Sequence, residues 1–257
     1  MKSLEESIAT AMDAENTEIF PYLPYILQDF WDLGSSPADM IALIEKHSAN
    51  YDTLKILDLG CGKGAVSIKI AEKLHCECLG IDGIKEFIEY ADKKAIEYKV
   101  EHLCQFEQAD IREKINELPT FDVIILGAIG QVFGNYYETL TKLRKCLKKG
   151  GLILIDDAYI DDLSTFSHPF VLKKSELLHQ INEANMELID ELPTKETQET
   201  SVKYEREFNL IKQRCDELTE KYPEKKSLFE AYVQNQDEEY DNLETKMVCL
   251  TMAIRAK

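Results

Sequence analysis

Residues Leu57 to Ala65 read Leu-Asp-Leu-Gly-Cys-Gly-Lys-Gly-Ala. They lie between an apolar run, Leu54-Lys55-Ile56-Leu57, and a stretch with Val66, Ile70, Ala71 and Leu74 at helical spacing. This is the signature of a strand, a glycine turn and a helix. Glycines at 60, 62 and 64 remove side chains where a ligand must approach the backbone. The helix after the turn directs unsatisfied N–H groups at that ligand. The chain is expected to hold a nucleotide-like cofactor at this turn.

The strands and helices beyond the turn fix the fold class. Apolar strands are expected at Glu77–Asp82, Cys104–Gln108, Phe121–Leu126 and Leu152–Asp156, with helices between them. The helix after the second strand carries Ile84, Phe87, Ile88, Ala91 and Ala95 on one face. Strands that read as near-continuous apolar runs, separated by helices, form a parallel sheet covered on both faces. A helix over about residues 136–147 is expected to end at Lys148-Lys149-Gly150-Gly151, where cations and glycine suit a helix C-terminus.

The flanks differ. Residues 1–50 read as a helical cap, with Leu4, Ile8, Ala11 and Met12 at helical spacing and an aromatic stretch through Phe20, Tyr22, Tyr25 and Trp31. Residues 51–257 read as the main domain. Within it, Tyr204, Phe208, Ile211, Cys215, Leu218 and Tyr222 mark one amphipathic helix. Phe229, Tyr232, Val233, Tyr240 and Leu243 mark a second. This pair, at about 200–244, is expected as an insertion between two final strands, Met186–Asp190 and Met247–Ile254. The Thr-rich acidic loop before it includes Lys195 and Glu196.

Composition excludes some functions. A formal net charge of −18 argues against a nucleic-acid partner, which needs a basic face. No run of about 18 apolar residues suggests a membrane span, and the polar, acidic start lacks a secretory segment. A cytoplasmic location is expected. Seven cysteines without metal-ligand spacing read as reduced thiols packed as small apolar groups, and no metal is expected.

Two cofactor fingerprints overlap at the turn. Gly60-x-Gly62-x-x-Ala65 fits the dinucleotide pattern. Asp58-x-Gly60-x-Gly62-x-Gly64, with Asp82 ending the second strand and Asp110 the third, resembles motif I and its surroundings in the class I S-adenosylmethionine-dependent methyltransferases. Asp82 suits a ribose diol in either case. The resemblance implies a Rossmann-like seven-stranded, mostly parallel sheet with helices on both faces and an antiparallel last strand. It implies S-adenosyl-L-methionine as cofactor. Asp58 would help hold its ammonium end, Asp110 would accept from the adenine amine, and Ile84 and Ile111 would face the adenine. Gly127 would present a backbone carbonyl to the ammonium. Tyr22, with Tyr25 and Trp31, would either wall the sulfonium or staple the cap to the core.

Acceptor chemistry is expected where strands four and five end. The acidic run there, Asp156-Asp157-Ala158-Tyr159-Ile160-Asp161-Asp162, singles out Asp157 and Tyr159 as catalytic candidates. The segment after strand four lacks the Asp/Asn-Pro-Pro-Tyr/Phe motif of enzymes that methylate base or amide nitrogens, which counts against those substrates. The aromatic N-terminal stretch, the Gly34-Ser35-Ser36-Pro37 turn and helix start, and the late helix pair resemble a small-molecule methyltransferase subgroup, which implies a small-molecule acceptor. Two alternatives stay open. One is an NAD(P)-binding oxidoreductase, for which Tyr90-x-x-x-Lys94 has the spacing but not the place of a catalytic pair. The other is a non-catalytic S-adenosylmethionine-binding regulator. The acceptor atom and the oligomeric state are not readable.

Overall fold

A computed structural model describes residues 2–194 and 197–257; the acidic-loop residues Lys195 and Glu196 lie outside that range. The elements run in chain order as α1 (Leu4–Ala11), α2 (Leu23–Ile26), α3 (Pro37–His47), β1 (Lys55–Leu59), α4 (Ala65–Leu74), β2 (Glu77–Asp82), α5 (Lys85–Glu97), β3 (Cys104–Gln108), α6 (Ile111–Lys114), β4 (Phe121–Gly127), α7 (Tyr136–Leu143), β5 (Leu147–Tyr159), α8 (Lys174–Glu183), β6 (Met186–Pro193), α9 (Gln198–Lys221), α10 (Lys226–Thr245) and β7 (Val248–Ala256). They fall into two compact units, Trp31–Pro193 with Cys249–Lys257, and Met1–Phe30 with Thr194–Val248.

The first unit holds a seven-stranded sheet in the order β3-β2-β1-β4-β5-β7-β6. Strands β1 to β5 pair in parallel, and β6 pairs antiparallel with β7. β1 is central, and its last four residues are all buried, as a strand covered on both faces requires. One face packs Ile56, Val123, Ile125, Leu152 and Leu154 against Val66 and Ile70 of α4 and Met40 and Leu43 of α3. The buried stripe of α3 therefore belongs to the sheet's core. The expected cap ran to residue 50, whereas the unit boundary falls at Phe30, because α3 completes the sheet and not the helical unit.

The second unit joins α1 and α2 to the inserted pair α9 and α10. α9 buries Ile211, Cys215 and Leu218, and α10 buries Phe229, Tyr232 and Gln236. α1 buries Ser7 and Ala9, one step round from the expected Leu4–Ile8 stripe. Arg214 bridges Asp29 and Glu217, and the Tyr25 hydroxyl donates to Glu217 at 2.5 Å.

One expected helix end is corrected. α7 stops at Leu143, a 3₁₀ turn covers Arg144–Cys146, and β5 begins at Leu147. Residues 148–151 do not cap a helix. They form an excursion within β5, since Phe121 pairs with Leu147 and Val123 with Leu152. Burial of Cys146 and Leu147 draws the chain into the sheet before the glycines are reached. β5 also runs three residues beyond the expected end, to Tyr159.

Ile125 is fully buried in β4, so Ile125→Ala is expected to cost about 2–5 kcal/mol. Leu163 is 93% exposed, and Leu163→Ala is expected to change stability by less than about 0.5 kcal/mol. Urea titration of both variants checks this contrast; equal midpoints would contradict the core assignment.

Candidate functional site

In the order β3-β2-β1-β4-β5 the connections from β1 leave in opposite directions, so the crevice at the carboxyl ends of β1 and β4 is the topological switch point. The glycine turn sits there. Gly60 has φ +74°, and a Cβ on it would stand 2.5 Å from Ile129 Cγ2 in the segment after β4. Gly64 has φ +75°, and a Cβ there would stand 2.8 Å from both Ala91 and the Phe106 ring. Left-handed backbone and close packing together leave room for glycine alone at both positions. Trp31 is tied to the turn, its Nε1–H donating to the Lys63 carbonyl at 3.0 Å.

Asp82 organises this corner. Its Oδ2 accepts from the Gly62 N–H at 2.9 Å and its Oδ1 from the Ile84 N–H at 2.8 Å. One carboxylate thus clamps the turn after β1 and the start of α5. Burial raises its pKa. The Gly83 N–H also bonds this carboxylate, and these three backbone bonds do not exhaust its acceptor sites. Asp58, only 2% exposed, accepts from Ser67 Oγ at 2.7 Å. Burial, with the nearby Asp82 adding to it, pushes its pKa up to about 6.

Asp110 follows β3 by two residues and caps α6. It accepts from the Arg112 N–H at 2.9 Å, and its two oxygens receive the Arg112 guanidinium. That guanidinium holds its pKa below the ordinary carboxylate range. Ile84 and Ile111 are both buried beside these acids. Gly127 ends β4, opposite Asp156 in the parallel register. These expected cofactor residues therefore cluster at the ends of β1 to β4. Tyr22 lies in the helical unit, where its ring meets Tyr222 and Phe229 edge-on at 5.6 and 5.0 Å. These contacts lie within the helical unit.

The two expected catalytic residues part company. Asp157 lines a small cavity with Leu126, Ile129, Gln131, Tyr136 and Asp156. Its Oδ2 accepts from the Tyr136 hydroxyl at 2.6 Å, and burial raises its pKa. Tyr159 is not among the described residues lining this cavity. Its ring lies under the Lys174 ammonium, which also contacts its hydroxyl at 3.2 Å and pairs with Glu191. Sequence reasoning missed Tyr136 and passed over Asp156. An acidic run at a strand end was visible, but the side each residue faces depends on where β5 stops. His168 sits between the Phe166 and Phe170 rings in a loop, and His179 is exposed on α8.

The residues present fit a cofactor with a diol and a cationic amino-acid end. Asp82 retains acceptor capacity, and the buried Asp58 and Asp82 supply negative potential beside the turn.

Comparison with known proteins agrees. The family model described as a methyltransferase domain matches residues 50–241. Malonyl-[acyl-carrier protein] O-methyltransferase of Halalkalibacterium halodurans is 28% identical over 137 residues, 52% of this chain and 49% of that protein. The enzyme of the same description from Priestia megaterium is 33% identical over 115 residues, 44% of this chain and 40% of that protein. The chain spans about half the length of the first of these relatives. A SAM-dependent methyltransferase from Geobacter sulfurreducens, solved with S-adenosyl-L-homocysteine, superposes with a TM-score of 0.76 at 17% identity, over 92% of this chain and 98% of that one. These matches support neither the oxidoreductase nor the regulator alternative. With most of its length matched by the family model and the sheet and glycine turn in place, the chain belongs to the methyltransferase domain family, in its class I S-adenosylmethionine-dependent form.

Proposed function

We propose that the protein transfers a methyl group from S-adenosyl-L-methionine to a small-molecule acceptor. The observation that carries this reading is Asp82, a buried carboxylate at the switch point whose two oxygens clamp the glycine turn and α5 while keeping acceptor capacity. Gly60, Gly62 and Gly64 give the cofactor's amino-acid end access to the backbone, and Asp58 and the Gly127 carbonyl face its ammonium. Asp82 takes the ribose diol. Asp110 takes the adenine amine, with Ile84 and Ile111 against the ring. Tyr22 is assigned to packing within the helical unit.

S-adenosylmethionine supplies, when bound, a methyl carbon on a sulfonium sulfur that departs with the C–S electron pair. The protein's part is to orient an acceptor and exclude water. Tyr136 and Asp157 fix the wall of the cavity at the ends of β4 and β5, each holding the other in one orientation. Tyr159 is engaged by Lys174 and is given no part in that wall. The net charge of −18 weighs against a nucleic-acid acceptor. No helix among the described residues is long and apolar enough to cross a membrane.

Calorimetric titration with S-adenosylhomocysteine and NAD in parallel tests the cofactor assignment. S-adenosylhomocysteine should bind and NAD should not; the reverse result ends this reading. Asp82→Asn is expected to weaken S-adenosylhomocysteine binding about 10-fold or more, through loss of charge-assisted hydrogen bonds worth roughly 1.5–3 kcal/mol.

The buried acids also predict a pH dependence. The Asp58 pKa stands at about 6, so the group is charged above that pH and neutral below it. A cationic amino-acid end binds the charged form more tightly. Affinity should fall as pH drops through 6, by up to about tenfold per unit for one linked proton. Binding near pH 6 should therefore release protons, seen as a buffer-dependent heat. A flat affinity between pH 5 and 7.5 would remove Asp58 from the cofactor's surroundings.

A further inference from the structure

The ends of β4, β5 and β7 hold two polar groups whose bonding is incomplete. Ser35, 7% exposed, lies directly over Gly127, where any Cβ would collide with its hydroxyl. Ser35 Oγ is buried and has no hydrogen-bond partner among the described residues. Gly127 stands opposite Asp156, so Ser35 and Asp156 share one side of the sheet end. The next residue completes the link, since the Ser36 N–H donates to Asp156 Oδ2 at 3.1 Å. The Thr251 hydroxyl donates to the same oxygen at 3.3 Å. Both donors are neutral and both bonds fall on Oδ2, which leaves Oδ1 to a further donor.

The charge balance is equally one-sided. Asp157 and Asp39 add negative potential to Asp156, and Tyr136 faces the same cavity as a neutral hydroxyl engaged with Asp157. Among the described residues, the cavity lining contains no lysine or arginine. Burial pushes the Asp156 pKa up to about 6, so the group carries its charge at neutral pH without a cation in that lining. An uncompensated, largely enclosed carboxylate is costly. A buried serine oxygen without a donor adds to that cost.

These deficits describe a ligand. It must donate to a carboxylate oxygen and exchange a hydrogen bond with a hydroxyl, which can itself donate or accept. It should carry positive charge. An alcohol could satisfy both groups but would leave the Asp156 charge uncompensated, and a carboxylate or phosphate would be repelled. A protonated amine meets both conditions.

We propose that Ser35 and Asp156 form an ammonium subsite and that the methyl acceptor is an amine: the bound ammonium gives one proton to the Asp156 carboxylate, and the nitrogen lone pair so freed forms the bond to the methyl carbon as the C–S pair departs with sulfur. This rests on the methyltransferase reading above and deepens it, by naming the acceptor class and its specificity-determining residues. The same chemistry is present in the cofactor's own amino-acid end, so the experiment must separate the two sources.

The test uses the full chain saturated with S-adenosylhomocysteine and three probes of one skeleton: n-butylammonium, n-butanol and butyrate. Binding is read by protein chemical shifts. Butylammonium is expected to bind at least tenfold tighter than butanol or butyrate, with affinity falling as pH drops below 6. Asp156→Asn should weaken butylammonium at least tenfold and Ser35→Ala about threefold, each leaving S-adenosylhomocysteine affinity within twofold. Ser35→Ala also serves alone if Asp156→Asn does not fold. In turnover, S-adenosylhomocysteine release from S-adenosylmethionine should be driven by small amines over the matching alcohols and acids. Equal binding of the three probes, or no ammonium binding to the loaded protein, overturns the proposal. So does a parallel loss of S-adenosylhomocysteine affinity in either variant, which would assign the subsite to the cofactor's ammonium. Failure of the wild-type chain to bind S-adenosylhomocysteine at all would instead mark failure of the methyltransferase reading.

Discussion

One carboxylate holds the functional end of this sheet together. Asp82 receives the Gly62 and Ile84 N–H groups, so the turn after β1 and the first residues of α5 share a single anchor. Without it, two buried donors at the centre of the crevice would lack partners, each a loss of about 1–3 kcal/mol. The neighbouring chain is arranged by this anchoring. Gly60 and Cys61 donate to the Ile81 carbonyl, and Ala109 donates to that of Asp82, which brings the ends of β1, β2 and β3 into one corner. Asp58, Asp82 and Asp110 are gathered there by backbone geometry, with Arg112 compensating only the last of them.

The crevice is correspondingly polarised. Asp58, Asp82 and Asp156 all have raised pKa values, and burial is the leading cause for each. Buried acids of this kind reduce stability at neutral pH, because the native state prefers the protonated form and the unfolded chain does not. A cation entering the site offsets that cost. The same feature that strains the free protein therefore favours cationic ligands, in keeping with a sulfonium donor and with an amine acceptor. The cations Lys69 and Lys94 lie outside this corner, near the rings of Trp31, Tyr98 and Tyr90.

Much of the cofactor corner was legible in the chain because it is local. The strand, three glycines and helix from Leu57 to Leu74 fall within one supersecondary unit, and Asp82 and Asp110 are marked by their place at strand ends. The acceptor side was less legible. Asp157 and Tyr159 read as equivalents, two residues apart in an acidic run, but only Asp157 reaches the cavity. Lys174 of α8 engages Tyr159 instead, a contact made across the loop between β5 and α8. Lys148 to Gly151 had every mark of a helix end and became a strand excursion, because Cys146 and Leu147 found the sheet first. Ser35 read only as part of the Gly34-Ser35-Ser36-Pro37 turn and helix start, with no sign of what it would face.

By itself the sequence determined the alternation of strands and helices, the glycine turn and the acids that flank it. Each of these depends on residues close in the chain, through periodicity, backbone freedom and capping. Tertiary structure decided the rest. It placed β7 between β5 and β6, joined the first thirty residues with the inserted helices, and gave α3 to the sheet. It also set Ser35 over Gly127 and beside Asp156. Such pairings are chosen by which apolar faces can be buried together and which polar groups are then left facing each other. No local pattern encodes that choice, because its energy belongs to contacts between distant segments.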